Sequence, residues 1–508
     1  MRPLTVHHLN EILLIGAAVL LVAVVAVRLA SRSGLPTLLI YLGIGVAIGQ
    51  DGLFGFTFDD VQLTQVLGYA ALVVILAEGG LGTKWHEIKP VLPAASVLST
   101  FGLLMSVFIT AGAGHYLVGL GWRQALIIGA VVSSTDAAAV FSVLRNVSLP
   151  KRVTGVLEAE SGFNDAPVVI LVAAFSTARP VEHWYTLLGE IALELAIGAA
   201  IGIAVGWIGA YGLKRVALPA SGLYPIAVMA IAVAAYAAGA MVHGSGFLAV
   251  YIASLVLGNA KLPHRPATRG FAEGLGWIAQ IGLFVLLGLL VTPHELGDDI
   301  LPAIIIGLFL TLVARPASVV ASLVPFRVPW REQALLSWAG LRGAVPIVLA
   351  TIPVVAGVPD SKRIFNIVFV LVIIYTLVQG PTLPWVARSL KLADGDETDA
   401  DDLGIESAPL ERLQGHLLSV AIPKGSRMHG VEVNELRLPS GAGVTLVVRG
   451  GTSFVPLPTT VLRHGDELLV VTTDPVRDAA EARLRAVGRG GKLAGWLAEP
   501  EGRHARTD

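Results

Sequence analysis

Long apolar runs alternate with short polar stretches from about residue 11 to residue 388. The hydrocarbon core of a bilayer requires roughly 20 apolar residues of α-helix. About thirteen runs approach that length, so the pattern predicts an all-α polytopic membrane protein with about thirteen transmembrane helices. The predicted segments are 11–30, 35–50, 62–81, 92–118, 124–144, 154–177, 184–213, 223–241, 245–258, 271–291, 299–324, 332–354 and 364–388.

The composition agrees with this class and narrows the chemistry. Of the 508 residues, 54% are hydrophobic and 14% are charged, against about 25% charged residues in a typical soluble protein. The chain has no cysteine, which excludes disulfides and thiolate metal sites. The sequence also has no nucleophile–base motif and no phosphate-binding loop. We therefore expect no enzyme activity, no cofactor and no nucleic acid partner.

Lysine and arginine concentrate in alternate predicted loops. Lys84, Lys89, Lys214 and Arg215 fall on one side of the membrane, whereas Arg123 falls on the other. Basic residues favour the cytoplasmic side of a membrane. The bias therefore predicts an outside N-terminus and a cytoplasmic C-terminal segment, with the protein in the inner (plasma) membrane of the cell.

The composition changes after the last apolar run. Residues 392–411 carry many acidic residues and no basic one, which is typical of a solvated linker. Strand-like runs at 417–422, 444–448 and 467–471, followed by a helical pattern at 474–487, indicate a small α+β domain. The predicted organisation is a transmembrane domain at 1–391, an acidic linker at 392–411, a cytoplasmic domain at 412–490 and a disordered tail at 491–508.

Charged and polar residues interrupt several of the apolar segments. A carboxylate at the centre of a bilayer costs roughly 2.5–3.5 kcal/mol even on lenient scales, and such residues usually mark ion or proton pathways. Asp165 is the strongest candidate, because an apolar run follows it at once. The full set of intramembrane candidates is Glu78, Thr135, Asp136, Glu160, Ser161, Asn164, Asp165, Arg315 and Arg342.

The spacing within the sixth segment indicates two different tasks. Ser161 and Asp165 are four residues apart and share one helical face, and Glu160 and Asn164 form the neighbouring pair. One face can hold an ion while Glu160 binds a structural partner. An arginine is the expected partner, because a buried carboxylate otherwise takes up a proton.

Two segments contain polar and small residues where an apolar helix is expected. Residues 133–136 interrupt the fifth segment and residues 340–343 interrupt the twelfth. Irregular backbone at membrane depth survives only where it lines a cavity or is buried in protein. Paired interruptions in two halves of a chain point to a transporter site between inverted repeats. We predict two broken, crossing helices, each the penultimate helix of a six-helix half.

Three motifs in order carry a family resemblance. Ser-Ser-Thr-Asp at 133–136, Glu-Ser-Gly-Phe-Asn-Asp-Ala-Pro at 160–167 and Gly-Leu-Arg-Gly-Ala-Val-Pro at 340–346 resemble the monovalent cation:proton antiporter family. The resemblance covers about residues 10–390 and implies a homodimer with crossed, broken helices. It implies that Asp165 is the transport carboxylate, with the other site residues around it. Those implied residues are Thr135, Asp136 and Ser161 at or near the ion, Glu78 and Asn164 lining the site, and Glu160 paired with an arginine, for which Arg315 is preferred over Arg342.

The C-terminal domain resembles the TrkA-C type found in regulators of potassium conductance. The segments that carry this likeness are Gly430–Leu436 and Leu462–Leu468. The nucleotide-binding half that often precedes such domains is absent, which argues against NAD or ATP regulation. The resemblance implies a place in the potassium/proton branch, and it makes a cyclic dinucleotide the first ligand to test.

Structural explanations compete with these assignments. Asp136 also suits a helix cap at the break, and Glu78 suits a protonated, hydrogen-bonded structural group. Arg315 and Arg342 suit ion-pair partners better than groups of the ion pathway. The functional hypothesis is an electroneutral exchange of K⁺, or of Na⁺ or Li⁺, for H⁺. The alternatives are a Na⁺/H⁺ antiporter of the same fold and a ligand-gated cation channel, although a carbonyl-lined filter motif is missing.

Overall fold

The computed structural model describes residues 6–33, 37–52, 55–144, 147, 149–177, 184–216, 218–392, 405–410 and 415–493. The chain divides into two compact units, Met1–Ala393 and Asp394–Asp508. Each unit has its own hydrophobic core.

The first unit is built from α-helices in its described part. In chain order they are α1 (Val6–Ser33), α2 (Thr37–Ile48), α3 (Val61–Gly82), α4 (Trp85–Ile88), α5 (Leu92–Val97), α6 (Leu103–Val118), α7 (Trp122–Ser133), α8 (Ala137–Val143), α9 (Lys151–Ser176), α10 (Trp184–Arg215), α11 (Leu223–Met241), α12 (Gly246–Asn259), α13 (Arg265–Leu289), α14 (Ile300–Phe309), α15 (Arg315–Leu323), α16 (Trp330–Trp338), α17 (Ala344–Leu349), α18 (Thr351–Val355) and α19 (Ser361–Ser389).

Every predicted membrane segment overlaps one or more of these helices. By length and composition, seven helical stretches of the described residues can cross a membrane, and five shorter apolar stretches accompany them. Helix α9 is in neither group, and its 26 residues include Lys151, Arg152, Glu158, Glu160 and Asp165. The helical membrane class is confirmed, while the count of thirteen stays a prediction.

Both predicted helix breaks are present in the structure. The backbone leaves the helix between α7 and α8, and again between α16 and α17. The two breaks touch, because the Asp136 amide donates to the Leu341 carbonyl oxygen at 2.9 Å. Each irregular stretch therefore provides a hydrogen-bond partner for a backbone group of the other. Backbone groups at membrane depth require such partners.

A second irregularity recurs seven predicted segments apart. The fourth segment contains a π-helical turn at Leu98–Gly102, and the eleventh contains one at Leu310–Ala314. Such turns often occur at functional sites. The first brings Ser99 to α9, where its hydroxyl donates to the Glu160 carbonyl oxygen at 3.2 Å. The second ends immediately before Arg315, which also reaches α9.

The second unit contains a five-stranded antiparallel sheet. Its strands are β1 (Ile405–Leu410), β2 (Gly415–Ala421), β3 (Ala442–Arg449), β4 (Thr452–Phe454) and β5 (Glu467–Thr473), in the order β1-β2-β5-β3-β4, and helix α20 (Arg477–Gly490) follows. Alternate residues of β2 and β5, such as Leu418, Val420, Leu468 and Val470, join Leu484 of α20 in the core. The three predicted strands and the predicted helix are all present.

The predicted acidic linker differs from the structure over part of its length. Residues 405–410 form β1, an edge strand that pairs with β2 from Ile405↔Val420 to Leu410↔Gly415. An edge strand tolerates Pro409 and a charged residue because one side of its backbone needs no partner. Because proline and charged residues are also typical of linkers, the sequence does not predict this strand. The disordered-tail prediction is wrong for Gly491–Leu493, which form a 3-10 turn. The linker prediction for 393–404 and 411, the domain prediction for 412–414 and the tail prediction for 494–508 lie outside the described residues.

Candidate functional site

A cavity of about 370 Å³ lies where α3, α9, α12 and α13 meet the two broken helices. Four carboxylates line it, and the described residues of its wall include no basic side chain. The acidic and hydroxyl-bearing residues of the wall are Glu78, Asp136, Glu158, Asp165, Thr83, Thr135, Ser161 and Tyr251. A wall of this composition attracts cations and rejects anions.

Asp165 is buried in this wall, with 7% of its surface exposed. One carboxylate oxygen accepts a hydrogen bond from the Ser134 hydroxyl at 2.7 Å. Ser134 follows the last residue of α7, so the break itself supplies the donor. Within the described part of the chain, Asp165 has no salt bridge to a basic residue. Its negative charge is therefore left for a proton or a metal cation to balance.

Ser161 and Asn164 connect α9 to the first break. The Ala137 amide, at the start of α8, donates to the Ser161 hydroxyl oxygen at 3.2 Å. The Asn164 side-chain amide donates to the Thr135 hydroxyl oxygen at 2.7 Å. Ser161 and Thr135 line the cavity, whereas Asn164 does not. Asn164 therefore braces the break from behind the cavity wall.

The charges within the two breaks complement the ends of the half-helices. One Asp136 oxygen accepts from the Ala139 amide at 3.2 Å, which is a capping contact at the start of α8. Its other oxygen lies against Gly343, where a Cβ atom would be only 1.8 Å away. Arg342 donates to the Val132 carbonyl oxygen at 3.1 Å, at the end of α7. A carboxylate at helix starts and a guanidinium at helix ends both stabilise the helix dipoles.

Glu160 forms a buried ion pair on another face of α9. Arg315 donates from Nη1 to Glu160 Oε1 at 2.5 Å and from Nη2 to Oε2 at 2.8 Å. The exposed fractions of the two side chains are 6% and 2%. Arg342 instead bonds the backbone of the breaks, including the Gly340 carbonyl oxygen. Neither member of the Glu160–Arg315 pair lines the cavity.

Glu78 lies half-buried on α3, at another part of the same wall. Its side chain packs against Gly276 of α13, where an added Cβ would be 3.1 Å from Glu78 Cγ. Glycine at this position thus leaves room for the carboxylate between the two helices.

Two residues of the cavity wall, Glu158 and Tyr251, and the Asp165 donor Ser134 behind it were not predicted from the sequence. Glu158 carries a signal that could have found it, because it precedes Ser161 by three residues and Asp165 by seven, which places all three on one helical face. Ser134 stands inside a motif but was not singled out. Tyr251 has no such signal, since it reaches the site only through the packing of α12 on α9.

The comparisons with known protein families agree along nearly the whole chain. Residues 18–389 match the family described as "Sodium/hydrogen exchanger, transmembrane". Residues 417–485 match the TrkA-C domain. The two matches correspond to the two compact units.

Named relatives span both units. The chain is 36% identical over 474 residues to the K(+)/H(+) antiporter NhaP of Alkalimonas amylolytica, across 91% of this chain and 81% of that protein. It is 36% identical over 472 residues to the K(+)/H(+) antiporter NhaP2 of Shewanella oneidensis, with the same two coverages. The Na(+)/H(+) antiporter ApNhaP of Aphanothece halophytica is 27% identical over 422 residues, covering 78% of each chain.

A solved structure has the same fold. The sodium proton antiporter MjNhaP1 from Methanocaldococcus jannaschii superposes with a TM-score of 0.63 and 21% sequence identity. The likeness covers 73% of this chain and 99% of that one. At this identity it speaks for the fold alone.

Proposed function

Because the chain belongs to the sodium/hydrogen exchanger family, we propose that it exchanges K⁺ for H⁺ at Asp165, one for one. The chain is a multi-pass cation/proton antiporter with a TrkA-C domain, and it is a transporter rather than an enzyme.

One observation supports the assignment to Asp165. Asp165 is a buried carboxylate in a cavity whose described wall has four acidic residues and no basic residue. Glu160, five residues earlier, is also buried but is neutralised by Arg315. A carboxylate neutralised by arginine does not attract a transported cation strongly, whereas the charge of Asp165 requires a cation or a proton to neutralise it.

The mechanism follows from competition for one charge. Ionised Asp165 binds a cation, with oxygen ligands offered by Ser161 and the Thr135 region of the break. Protonated Asp165 needs no cation and releases it. Either partner, but never both together, neutralises the buried charge. Alternating exposure of the site to the two sides of the membrane then couples the two flows.

K⁺ is the favoured substrate for two reasons. The relatives at 36% identity, which cover 91% of this chain, carry the name K(+)/H(+) antiporter, whereas the relative named Na(+)/H(+) antiporter is 27% identical. The TrkA-C domain resembles modules of potassium systems. Na⁺ and Li⁺ are the alternative substrates to test, because the size of the cavity decides between ions that bind the same oxygen ligands.

The remaining features of the proposal concern the setting. The N-terminus lies outside and the TrkA-C domain is cytoplasmic, in the plasma membrane. The protein works as a homodimer in cation and pH homeostasis. Its TrkA-C domain regulates the exchange, and a cyclic dinucleotide is the first effector to test.

The decisive experiment uses purified protein in vesicles that contain a pH-sensitive dye. With a proton gradient imposed, added K⁺ should collapse the gradient, and Na⁺ and Li⁺ added in turn give the selectivity. The Asp165→Asn variant should fall to the rate of protein-free vesicles while keeping the thermal midpoint of the parent. Asp298→Asn, an exposed loop residue outside the cavity, is the matched control. Substantial cation-dependent exchange by Asp165→Asn would reject the assignment.

Electroneutrality has its own test. With K⁺ equal on both sides, valinomycin holds the voltage at zero, and Na⁺ serves as the test ion if it is carried. One titrating carboxylate per cycle predicts the same rate of exchange with and without valinomycin, because no voltage builds up. A rate that rises strongly when valinomycin removes the voltage would require a second titrating group, and Asp136 would be examined first.

A further inference from the structure

The transport cavity contains a second acidic residue, Glu158, to which the proposed exchange at Asp165 assigns no role. Glu158 precedes Asp165 by seven residues of α9, which is about 10 Å along a helix axis. Both residues line the same cavity. In the orientation that the basic loops predict, Glu158 lies nearer the cytoplasm. A cation that enters from that side meets Glu158 before it meets Asp165.

Glu158 is not neutralised as Glu160 is. Within the described part of the chain it forms no salt bridge. The neighbouring basic residue Lys84 pairs with Glu87 at 2.9 Å. Glu87 does not line the cavity. A half-buried carboxylate without an arginine or lysine partner is open to a mobile cation.

Tyr251 gives an independent indication of a ligand. Its side chain is 97% buried, since only 3% of its surface is exposed, and it lines the cavity. Its hydroxyl forms no hydrogen bond of good geometry among the described residues, and the Thr83 side chain lies beside it. A buried polar group left unsatisfied costs about 1–3 kcal/mol. The hydroxyl therefore favours a polar or cationic guest beside it.

Packing fixes the Tyr251 hydroxyl beside α9. Gly162 supports the ring, because an added Cβ would lie 2.2 Å from the Cζ atom that carries the hydroxyl. Phe163 holds the ring edge-on at 5.6 Å between centroids. Gly162 follows Glu158 by one helical turn. The hydroxyl and the carboxylate therefore belong to neighbouring levels of one wall.

Thr83 supplies a third oxygen. Its hydroxyl donates to the Gly79 carbonyl oxygen at 2.8 Å, which leaves lone pairs on the Thr83 oxygen. Asn259 of α12 holds the Thr83 backbone by donating to its carbonyl oxygen at 2.9 Å. Thr83 lines the cavity with Glu158 and Tyr251.

We propose that Glu158, the Tyr251 hydroxyl and the Thr83 hydroxyl form a second cation-binding site, which receives a partly hydrated monovalent cation before it reaches Asp165. The proposal rests on the proposed exchange at Asp165 and extends it. Hard cations prefer oxygen ligands, and two successive oxygen sites let the ion lose its water in steps. The second site controls how readily the cation is captured, whereas Asp165 exchanges it for the proton.

The test is the K⁺ dependence of exchange in vesicles. Glu158→Gln should raise the half-saturating K⁺ concentration about tenfold, the size expected for one lost charge-assisted contact, and should change the rate at saturating K⁺ less. Tyr251→Phe should raise it less and should alter the preference among K⁺, Na⁺ and Li⁺. Glu273→Gln, on α13 near Glu78, removes the same charge next to the cavity without removing a wall residue and without releasing Lys84 from Glu87.

Four outcomes decide the proposal. A much larger effect of Glu158→Gln than of Glu273→Gln, unchanged when choline chloride raises the ionic strength, supports a direct contact. Equal effects, or effects abolished by choline chloride, overturn it in favour of a long-range field. Loss of exchange at every K⁺ concentration in folded Glu158→Gln overturns it as well. If Glu158→Gln does not fold, wild-type K⁺ dependence and selectivity in Tyr251→Phe overturn it.

The same preparation separates the two hypotheses. Exchange that survives Asp165→Asn would reject the proposed function. An inactive Asp165→Asn together with a wild-type Glu158→Gln would reject only the second site.

Discussion

Two arginine–carboxylate pairs with the same forked geometry lie in different surroundings. In the membrane unit, Arg315 grips Glu160 with two nitrogens, and both side chains are nearly inaccessible. In the TrkA-C unit, Arg449 donates to both oxygens of Asp466 at 2.7 Å. There Asp466 has 0% of its side chain exposed, but Arg449 keeps 30%.

The difference shows what each pair does when it breaks. Removing Glu160 leaves the Arg315 guanidinium nearly inaccessible and without its carboxylate, and such uncompensated buried charges are costly. Removing Asp466 leaves Arg449 able to turn toward water, where surface pairs are worth little. The same contact therefore contributes more to the stability of the membrane unit than to the stability of the TrkA-C unit.

The comparison also distinguishes two carboxylates of α9. Glu160 has a basic partner and lies off the cavity, whereas Asp165 lines the cavity and has no basic partner among the described residues. In the proposed function, one carboxylate is therefore structural and the other carries the exchange. The partner, rather than the residue type, indicates the task.

The largest expected effect comes from breaking the membrane pair. Glu160→Gln or Arg315→Gln alone should lower stability by roughly 3–5 kcal/mol, because each leaves a buried charge uncompensated. The double variant should recover part of the loss. Thermal unfolding of the detergent-solubilised protein measures all four members of the cycle.

Glu295→Gln, an exposed substitution of the same chemistry, should leave the unfolding midpoint unchanged. Strictly additive losses in the cycle would mean that the two charges do not depend on each other. A cycle of Glu160 with Arg342 would then be the next measurement.

The TrkA-C pair should give a smaller loss. Arg449→Gln leaves the Asp466 carboxylate with the Arg463 amide at 2.8 Å as a remaining donor, so we expect about 1–3 kcal/mol. Residues 405–493 have their own core and can be expressed separately for denaturant unfolding. Lys424→Gln, in an exposed turn, is the matched control. A loss as large as that of Glu160→Gln would invalidate the contrast between the two surroundings.

Acid should weaken the same pair. Burial raises the pKa of Asp466, but the Arg449 fork and the Arg463 amide outweigh it and hold the pKa below its ordinary value. The stabilisation is therefore full above the unfolded-state pKa, about 3.9, and is lost as the pH falls through the folded-state value. Unfolding of residues 405–493 between neutral and strongly acidic pH should show a steeper loss for the wild type than for Asp466→Asn. Parallel pH profiles would contradict this.

The smallest effect on exchange itself should come from removing the TrkA-C unit. A chain ending at Ala393 retains the membrane unit and its core. It should exchange ions at the parental rate in vesicles and lose only the response to a cytoplasmic effector. Calorimetry of residues 405–493 with a cyclic dinucleotide tests the first candidate. Identical pH profiles for both chains, together with no binding, would leave the unit without a regulatory role.

The membrane class and the two breaks could be predicted from the sequence, and so could Asp165 as a candidate that lies in the cavity wall. Polar residues inside apolar runs have few explanations in a bilayer, so Asp165 and the broken segments stand out without any contact information. The strands of the TrkA-C unit that have alternating apolar residues could be predicted equally well. Edge strand β1 was missed because proline and acidic residues, which an edge tolerates, are also typical of linkers.

The cavity wall could not be predicted in the same way. Tyr251 lines it because α12 packs against Gly162, and such packing leaves no periodic trace in the sequence. Glu158 could be predicted from its spacing to Ser161 and Asp165, but it lies two residues before the motif that begins at Glu160. The π-helical turns at Leu98–Gly102 and Leu310–Ala314 depend on contacts between distant segments and were not expected.

The Glu160–Arg315 pair has a consequence for the order of biosynthesis. The two residues are 155 positions apart, so the ribosome completes α9 long before the helix that neutralises it exists. During that interval Glu160 has to enter the bilayer without its arginine, as a protonated acid or within the translocation machinery. By composition, α9 is also not among the described helices apolar enough to cross a membrane. The buried ion pair of the membrane unit therefore forms only after α15 has been made, late in the synthesis of that unit.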